Sequence, residues 1–185
     1  SNAMAAVGAV LSCGFDFDQI IPACKSIKGV PGRMEVIPTN SDFTILLDYA
    51  HKPDALEKVL KTVRGFAKGR VMVLFGCGGN RDQLKRPIMG KIAEELADYV
   101  YVTSDNPRYE KPMEIIADIL SGMTKPEKRS VICDRRQAIY TAIREHQPGD
   151  VLILAGKGHE TYQLVRGETF EFDEREMVAD ALLGL

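Results

Sequence analysis

The sequence predicts an α/β fold, a mostly parallel sheet covered by helices, and three observations carry that prediction. Short apolar runs alternate along the chain with longer stretches in which apolar residues recur every three or four positions. Short continuous runs suit strands buried on both faces, and the longer period suits helices that lie across such a sheet. Near the end, two short runs flank Gly167, the pattern of a hairpin.

Taken in order, Met4 to Leu11 forms an apolar helical segment, and Ile20, Cys24 and Ile27 recur at helical spacing after Asp16 and Asp18. Gly29, Val30, Pro31 and Gly32 then break the pattern and read as a linker from a preceding piece. Phe43 to Leu47 is a strand. A helix follows from about Pro53, with Leu56, Val59, Leu60 and Val63 on one face. Proline suits a first helical turn because its missing N–H needs no partner there. Val71 to Phe75 is the next strand, and Ile88, Met89, Ile92 and Leu96 mark the next helical face. Tyr99 to Thr103 and Val131 to Cys133 read as strands, separated by a helix over Pro112 to Leu120. The stripe Ala138, Ile139, Ala142 and Ile143 predicts a helix, and Val151 to Leu154 a further strand. Thr161 to Val165 and Thr169 to Phe172 make the hairpin, and Met177, Val178, Ala181 and Leu182 the last helix. The result is a Rossmann-like, mostly parallel sheet with a C-terminal hairpin.

Composition bounds the function. In 185 residues, 45% are apolar and 27% charged, a globular balance that argues against disorder or a fibre. The 24 basic and 26 acidic residues leave a formal charge of −2, so no general electrostatic attraction to nucleic acid is expected. No apolar run reaches the roughly 18 residues of a membrane span, and the start lacks the pattern of a secretory signal. The expectation is a soluble cytoplasmic protein, a monomer without nucleic-acid or membrane partners. Cys13, Cys24, Cys77 and Cys133 are too dispersed for a zinc knuckle, and no metal site is expected on this chain. Ser1, Asn2 and Ala3 precede Met4 and read as an expression scar.

Five loops carry residue types suited to binding. Gly76, Cys77, Gly78, Gly79, Asn80, Arg81 and Asp82 follow a strand, and Arg81 can grip a carboxylate or phosphate through its planar donors. Arg81 stands where a dinucleotide fingerprint needs another glycine, which argues against a nicotinamide cofactor. Ser104, Asp105, Asn106, Pro107 and Arg108 follow another strand; Asn106 can make paired polar contacts, and Arg108 can hold a carboxylate. Asp48 to Asp54 joins a strand to its helix. There Asp48 suits ribose hydroxyls and His51 or Lys52 suits phosphates, although capping and solubility explain the same residues. Gly156, Lys157, Gly158, His159 and Glu160 form a compact polar turn, in which Glu160 can complement an ammonium or simply be surface charge. Asp134, Arg135 and Arg136 either bind an anion or expose charge before a helix. No segment ends in the Gly-Lys-Ser or Gly-Lys-Thr of a P-loop, so any ATP chemistry here uses part of a shared site or another arrangement.

Five segments in order resemble the C-terminal domain of the bacterial Mur ligase family, in particular its diaminopimelate-adding, tripeptide-forming members. They are Pro31 to Glu35, Asp48 to Leu56, Gly76 to Pro87, Asp105 to Arg108, and Gly156 to Glu160. The resemblance implies residues 4–32 as a remnant of a central ligase domain with its linker, and residues 33–185 as the C-terminal domain. It implies an ATP-dependent carboxylate–amine ligase that adds meso-diaminopimelate to UDP-N-acetylmuramoyl-L-alanyl-D-glutamate through an acyl phosphate, in peptidoglycan precursor synthesis. ATP and Mg2+ are the implied cofactors, with the main magnesium site, the P-loop, and the N-terminal and central domains outside these residues. Arg33, Asp48, His51 and Lys52 are implied at the nucleotide. Arg81, Asp105, Asn106, Pro107, Arg108, Gly156 and Glu160 are implied at the incoming amino acid, and no residue is singled out as a catalytic base. A lysine-adding Mur ligase and a non-enzymatic small-molecule binding module are the alternatives. Arg108 in the recognition loop argues against the first, because lysine lacks the distal carboxylate.

Overall fold

The computed structural model describes residues 2–26, 29–39 and 41–184. Contacts divide the chain between residues 30 and 31. In the first unit, α1 (Asn2–Ser12) and α2 (Phe17–Ser26) are joined by a turn in which Gly14 adopts φ +88°. Ile20 is its only buried hydrophobic residue among those described. Cys24, expected on the apolar stripe, is exposed, and Ile27 and Ser1 lie outside the described residues.

The second unit holds a six-stranded sheet in the order β1 (Glu35–Ile37), β2 (Thr44–Asp48), β6 (Val151–Ala155), β3 (Val71–Phe75), β4 (Tyr99–Val102), β5 (Arg129–Val131). Strand β1 runs antiparallel to β2, and the other neighbours are parallel. Parallel strands separated by helices need crossover connections, which α3 (Pro53–Arg64), α4 (Lys85–Leu96), α5 (Pro112–Leu120) and α6 (Arg135–Arg144) supply. The hairpin β7 (Tyr162–Val165) and β8 (Glu168–Glu171) forms a separate two-stranded sheet before α7 (Glu174–Leu183).

Period-2 alternation sorts the core into two layers. Val71, Val73 and Phe75 of β3 pack with Leu56, Leu60 and Val63 of α3 and with residues of α4 and α5. Met72 and Leu74 of the same strand pack on the other face with Ile139, Ile143 and Val178 of α6 and α7. Fully burying one such side chain stabilises a fold by about 1.5 to 3 kcal/mol, so both faces of the sheet are strongly held. Helix starts follow local chemistry. Pro53 and Pro112 open α3 and α5 after residues with extended backbone, and Asp134 and Asp173 cap α6 and α7 through their carboxylates.

Three details differ from the sequence reading. Strand β1 was not anticipated: its three residues lie at a sheet edge, and Val36 faces outward, so no apolar run announces it. The strand expected at Val131 to Cys133 instead spans Arg129–Val131, because pairing with β4 ends at Val102↔Val131 and the chain then turns towards the Asp134 cap. On α4, Ile88 is exposed, while Arg86, Met89, Gly90, Ala93 and Glu94 are buried. Ion pairing admits Arg86 to that inward face.

The parallel arrangement places the C-terminal ends of β2, β3, β4 and β6 along one edge. Ligands of open α/β sheets bind along that edge.

Candidate functional site

Loops at this edge surround a cleft of about 830 Å3. His51 and Lys52 come from the loop after β2, Arg81 from that after β3, Asp105, Asn106 and Arg108 from that after β4, and Gly156 and Glu160 from that after β6. Eight of the eleven expected site residues therefore line one space. Arg33, Asp48 and Pro107 do not. Arg33 is exposed, in the loop before β1. Asp48 is buried at the end of β2, where its Oδ2 accepts the Met34 N–H at 2.9 Å. Burial pushes its carboxyl above the usual aspartate range, against the backbone N–H groups of Met34 and Ala50 and the nearby Arg33 charge. Pro107 is buried and shapes the loop: a β-carbon on Gly79 would collide with the Pro107 carbonyl, so only glycine fits where the two loops meet.

The cleft is rich in cations. Lys52, Lys58, Arg81, Lys85 and Arg108 line it, facing Asp54, Asp82, Asp105 and Glu160. Helices α3 and α4 begin at its wall without a side-chain cap, so their free N–H groups add positive potential. Lys85 Nζ donates to the His51 carbonyl at 2.6 Å, which ties these two helix starts together. The Cys77 thiol is no candidate nucleophile: burial pushes it up to about 12. No group of three His, Cys, Asp or Glu side chains suited to a metal occurs among the described residues. Nor is any described helix long and apolar enough to cross a membrane.

The 105–108 loop is held from behind. Arg108 adopts φ +52°, its N–H donates to the Leu164 carbonyl, and its own carbonyl accepts from Arg166 N–H, so the loop docks on the hairpin. Its Nη1 donates to the Gly79 carbonyl at 3.0 Å and to the Asn106 carbonyl at 3.4 Å. Asn106 is buried with its carboxamide already engaged: Nδ2 donates to Glu160 Oε2 at 2.9 Å, and Oδ1 accepts from Lys157 Nζ and Leu164 N. The paired polar contacts expected of Asn106 are thus made within the protein, and Glu160 receives one of them.

Sequence reasoning missed the charges that hold these loops. Lys157 is fully buried, although a lysine between two glycines looks like a solvent-facing turn. Arg135, read as an anion ligand or exposed charge, is buried against Glu174 at 2.7 Å and donates to the carbonyls of Ser104 and Ala155. Its neighbour Arg136 is exposed. Arg86 is buried, pairs with Asp118 and Glu110, and reaches the Gly78 carbonyl at 3.3 Å. Glu110 in turn accepts from Asn80 N–H. No spacing signal distinguishes these three cations from surface charge; only their partners, most of them far away in sequence, do. Chemically, the cleft offers guanidinium groups for carboxylates and a held carboxylate for an ammonium.

Comparison with known proteins matches residues 32–158 to the model of the Mur ligase glutamate ligase domain. A UDP-N-acetylmuramoyl-L-alanyl-D-glutamate–2,6-diaminopimelate ligase of Trichormus variabilis is 52% identical over 183 residues, 98% of this chain and 37% of that protein. The ligase of the same name from Syntrophomonas wolfei is 49% identical over 185 residues, 99% of this chain and 38% of that protein. The chain thus spans a little over a third of the length of these curated relatives. A solved structure of a UDP-N-acetylmuramoyl-L-alanyl-D-glutamate–2,6-diaminopimelate ligase superposes with a TM-score of 0.79 at 40% identity, covering 98% of this chain and 37% of that one. The UDP-N-acetylmuramate-alanine ligase of Thermotoga maritima shares the fold, with a TM-score of 0.62 at 19% identity over 99% of this chain and 35% of that one.

Proposed function

The chain belongs to the Mur ligase family, and from that premise we propose that it is the C-terminal part of an ATP-dependent ligase that joins meso-diaminopimelate to UDP-N-acetylmuramoyl-L-alanyl-D-glutamate. Residues 33–185 are then the C-terminal domain and residues 4–32 the tail of a preceding central domain. The family match starting at residue 32 and the division of contacts at residue 30 support that boundary. The enzyme acts in the cytoplasm on peptidoglycan precursors.

One observation carries the substrate assignment: Arg81 and Arg108 share a single cleft with Glu160. A diamino diacid presents a distal carboxylate and a distal ammonium, which these groups match by charge. Arg108 keeps Nε and Nη2 without a hydrogen bond among the described residues, enough for a paired grip on a carboxylate. Glu160 Oε1 has only a long 3.4 Å contact from Tyr49 Oη, so it retains capacity for an ammonium. Gly156, at φ +114°, adds backbone contact where a side chain would crowd Asp105. Holding the acceptor amine at the acyl carbon in this way converts a bimolecular attack into a positioned one.

ATP supplies the phosphoryl group that activates the substrate carboxylate. The exposed Arg33 with His51, Lys52 and the uncapped start of α3 suits phosphate oxygens, while Asp48, buried outside the cleft and accepting the Met34 N–H, braces the segment that carries Arg33. On this reading the main magnesium site lies in the rest of the full-length enzyme. In the full-length enzyme, Arg33→Ala is expected to raise the KM for ATP several-fold and leave the KM for diaminopimelate unchanged. Steady-state kinetics with a circular dichroism control check this, and an unaltered ATP dependence removes Arg33 from the nucleotide site.

The substrate assignment is tested by Arg108→Ala in the full-length enzyme. Loss of a charge-assisted hydrogen bond costs about 1.5 to 3 kcal/mol, so kcat/KM for diaminopimelate should fall roughly 10-fold to 150-fold with ATP binding retained. The preference for diaminopimelate over lysine should shrink by a similar factor, because lysine has no carboxylate for Arg108 to hold. Unchanged discrimination together with normal diaminopimelate turnover would sink the assignment. Efficient lysine addition by the wild-type enzyme would point to a lysine-adding ligase instead.

A further inference from the structure

Lys157 is fully buried, and its ammonium lies among four oxygen atoms. Nζ lies 2.7 Å from the Tyr162 carbonyl, 3.1 Å from Asn106 Oδ1 and 3.5 Å from Asp105 Oδ1, with Glu160 Oε2 at 3.8 Å. The Phe172 ring closes the remaining side, its centroid 5.4 Å away. Asp105 Oδ1 is buried and has no hydrogen-bond partner among the described residues, so Lys157 is the charge that makes its burial tolerable. Burial pulls the Lys157 ammonium below the ordinary lysine value, and Arg135 adds to that pull. Asp105, Glu160 and Glu174 oppose it.

The consequence for the cleft runs through Asn106. A carboxamide can turn either way, and its partners decide which end is oxygen. Two donors, Lys157 Nζ and Leu164 N, meet on Oδ1, so Nδ2 must face Glu160. Lys157 itself does not line the cleft, whereas Asp105, Asn106 and Glu160 do. Around Lys157 one positive charge meets two carboxylates, while Arg135 and Glu174 neutralise each other at 2.7 Å. The wall is therefore left one negative charge in excess at the place where a ligand ammonium would complete it.

We propose that Lys157 is a positioning residue for the ammonium subsite: from inside the wall it fixes the Asn106 carboxamide, which holds the Glu160 carboxylate towards the distal ammonium of the incoming diamino acid. This rests on the diaminopimelate reading above. Loss of Lys157 leaves the Leu164 N–H as the sole donor on Asn106 Oδ1, loosens the donor that faces Glu160, and leaves Asp105 as an uncompensated buried charge.

The test compares wild-type full-length ligase with Lys157→Met, using two acceptors. One is meso-diaminopimelate. The other is 2-aminopimelate, which keeps one amine and both carboxylates but lacks the distal ammonium. Wild type is expected to favour diaminopimelate by at least about 10-fold in kcat/KM, the scale of one charge-assisted hydrogen bond. Lys157→Met should lose most of that preference through a raised KM for diaminopimelate, with the KM for ATP unchanged and kcat within about threefold. A purely structural role would weaken both acceptors alike and preserve the preference, and that result overturns the proposal, as does unchanged behaviour with both.

If Lys157→Met does not fold, Lys157→Met/Asp105→Asn removes the buried pair together and should show the same loss of preference. Failure of both variants to fold would assign Lys157 to the fold and overturn its role in the subsite. If wild type does not use diaminopimelate at all, the functional reading itself falls. If it does and the variants keep their preference, only Lys157 is misassigned.

Discussion

The 185-residue chain by itself is expected to form no UDP-linked tripeptide when supplied with ATP, magnesium, the nucleotide-linked dipeptide and diaminopimelate. Activation of a carboxylate by ATP needs a cradle for the transferred phosphoryl group and a metal to share its charge. The sequence contains no Gly-Lys-Ser or Gly-Lys-Thr, and its described residues hold no metal-ligand cluster. Correct positioning is worth effective molarities on the order of 10⁵ M or more, so its loss takes turnover below detection. The second unit has core layers on both faces of its sheet, so the polypeptide should still unfold cooperatively. A mass-spectrometric product assay on the purified chain, beside a thermal melt, separates the two properties. Robust tripeptide formation without another protein would refute the shared-site mechanism.

A comparably large effect is expected on stability from Arg135→Ala. The guanidinium donates through Nε to Glu174 Oε1 at 2.7 Å, through Nη2 to the Ala155 carbonyl at 3.0 Å and through Nη1 to the Ser104 carbonyl at 3.3 Å. It joins α7 to the ends of β4 and β6, where the cleft loops begin. Truncation leaves Glu174 buried and unpaired, and breaking a buried pair in this way costs about 3 to 5 kcal/mol. A domain of this kind is stable by only about 5 to 15 kcal/mol, so the urea midpoint should fall by a large fraction of its value. Arg135→Met/Glu174→Leu removes both charges and should recover most of the loss. A midpoint unchanged in Arg135→Ala, or equal losses in the single and double variants, would show that the pair does not carry this energy.

The elements most legible in the sequence were those whose identity depends on local pattern. Val71 to Phe75, a continuous apolar run, and the helix over Pro112 to Leu120 have in the sequence the bounds the structure shows. The hairpin around Gly167 followed from two short runs and a residue able to adopt φ +85°. Strand β1 escaped because a three-residue antiparallel edge buries too little to impose a pattern. The Val131 to Cys133 reading slid by two residues because β-propensity continues beyond the point where pairing stops.

For the site, the loops and most of their binding residues were legible because a strand end followed by glycine, asparagine or arginine is a local signal. His51, Arg81, Arg108 and Glu160 stand far apart in the chain, yet the parallel order of β2, β6, β3 and β4 brings them to one cleft. The local pattern by itself determined an α/β domain with candidate binding loops, and the order of its motifs pointed to the family. Only the tertiary structure decided which charges line the cleft and which are buried among their partners. It turned Lys157, Arg135 and Arg86 inwards and withdrew Asp48 from the cleft. The physical reason is that a charge can be buried only beside its counter-charges and acceptors, and here most of these come from distant parts of the chain. Arg135 waits for Glu174, Arg86 for Glu110 and Asp118, and Lys157 for Asp105 and Asn106.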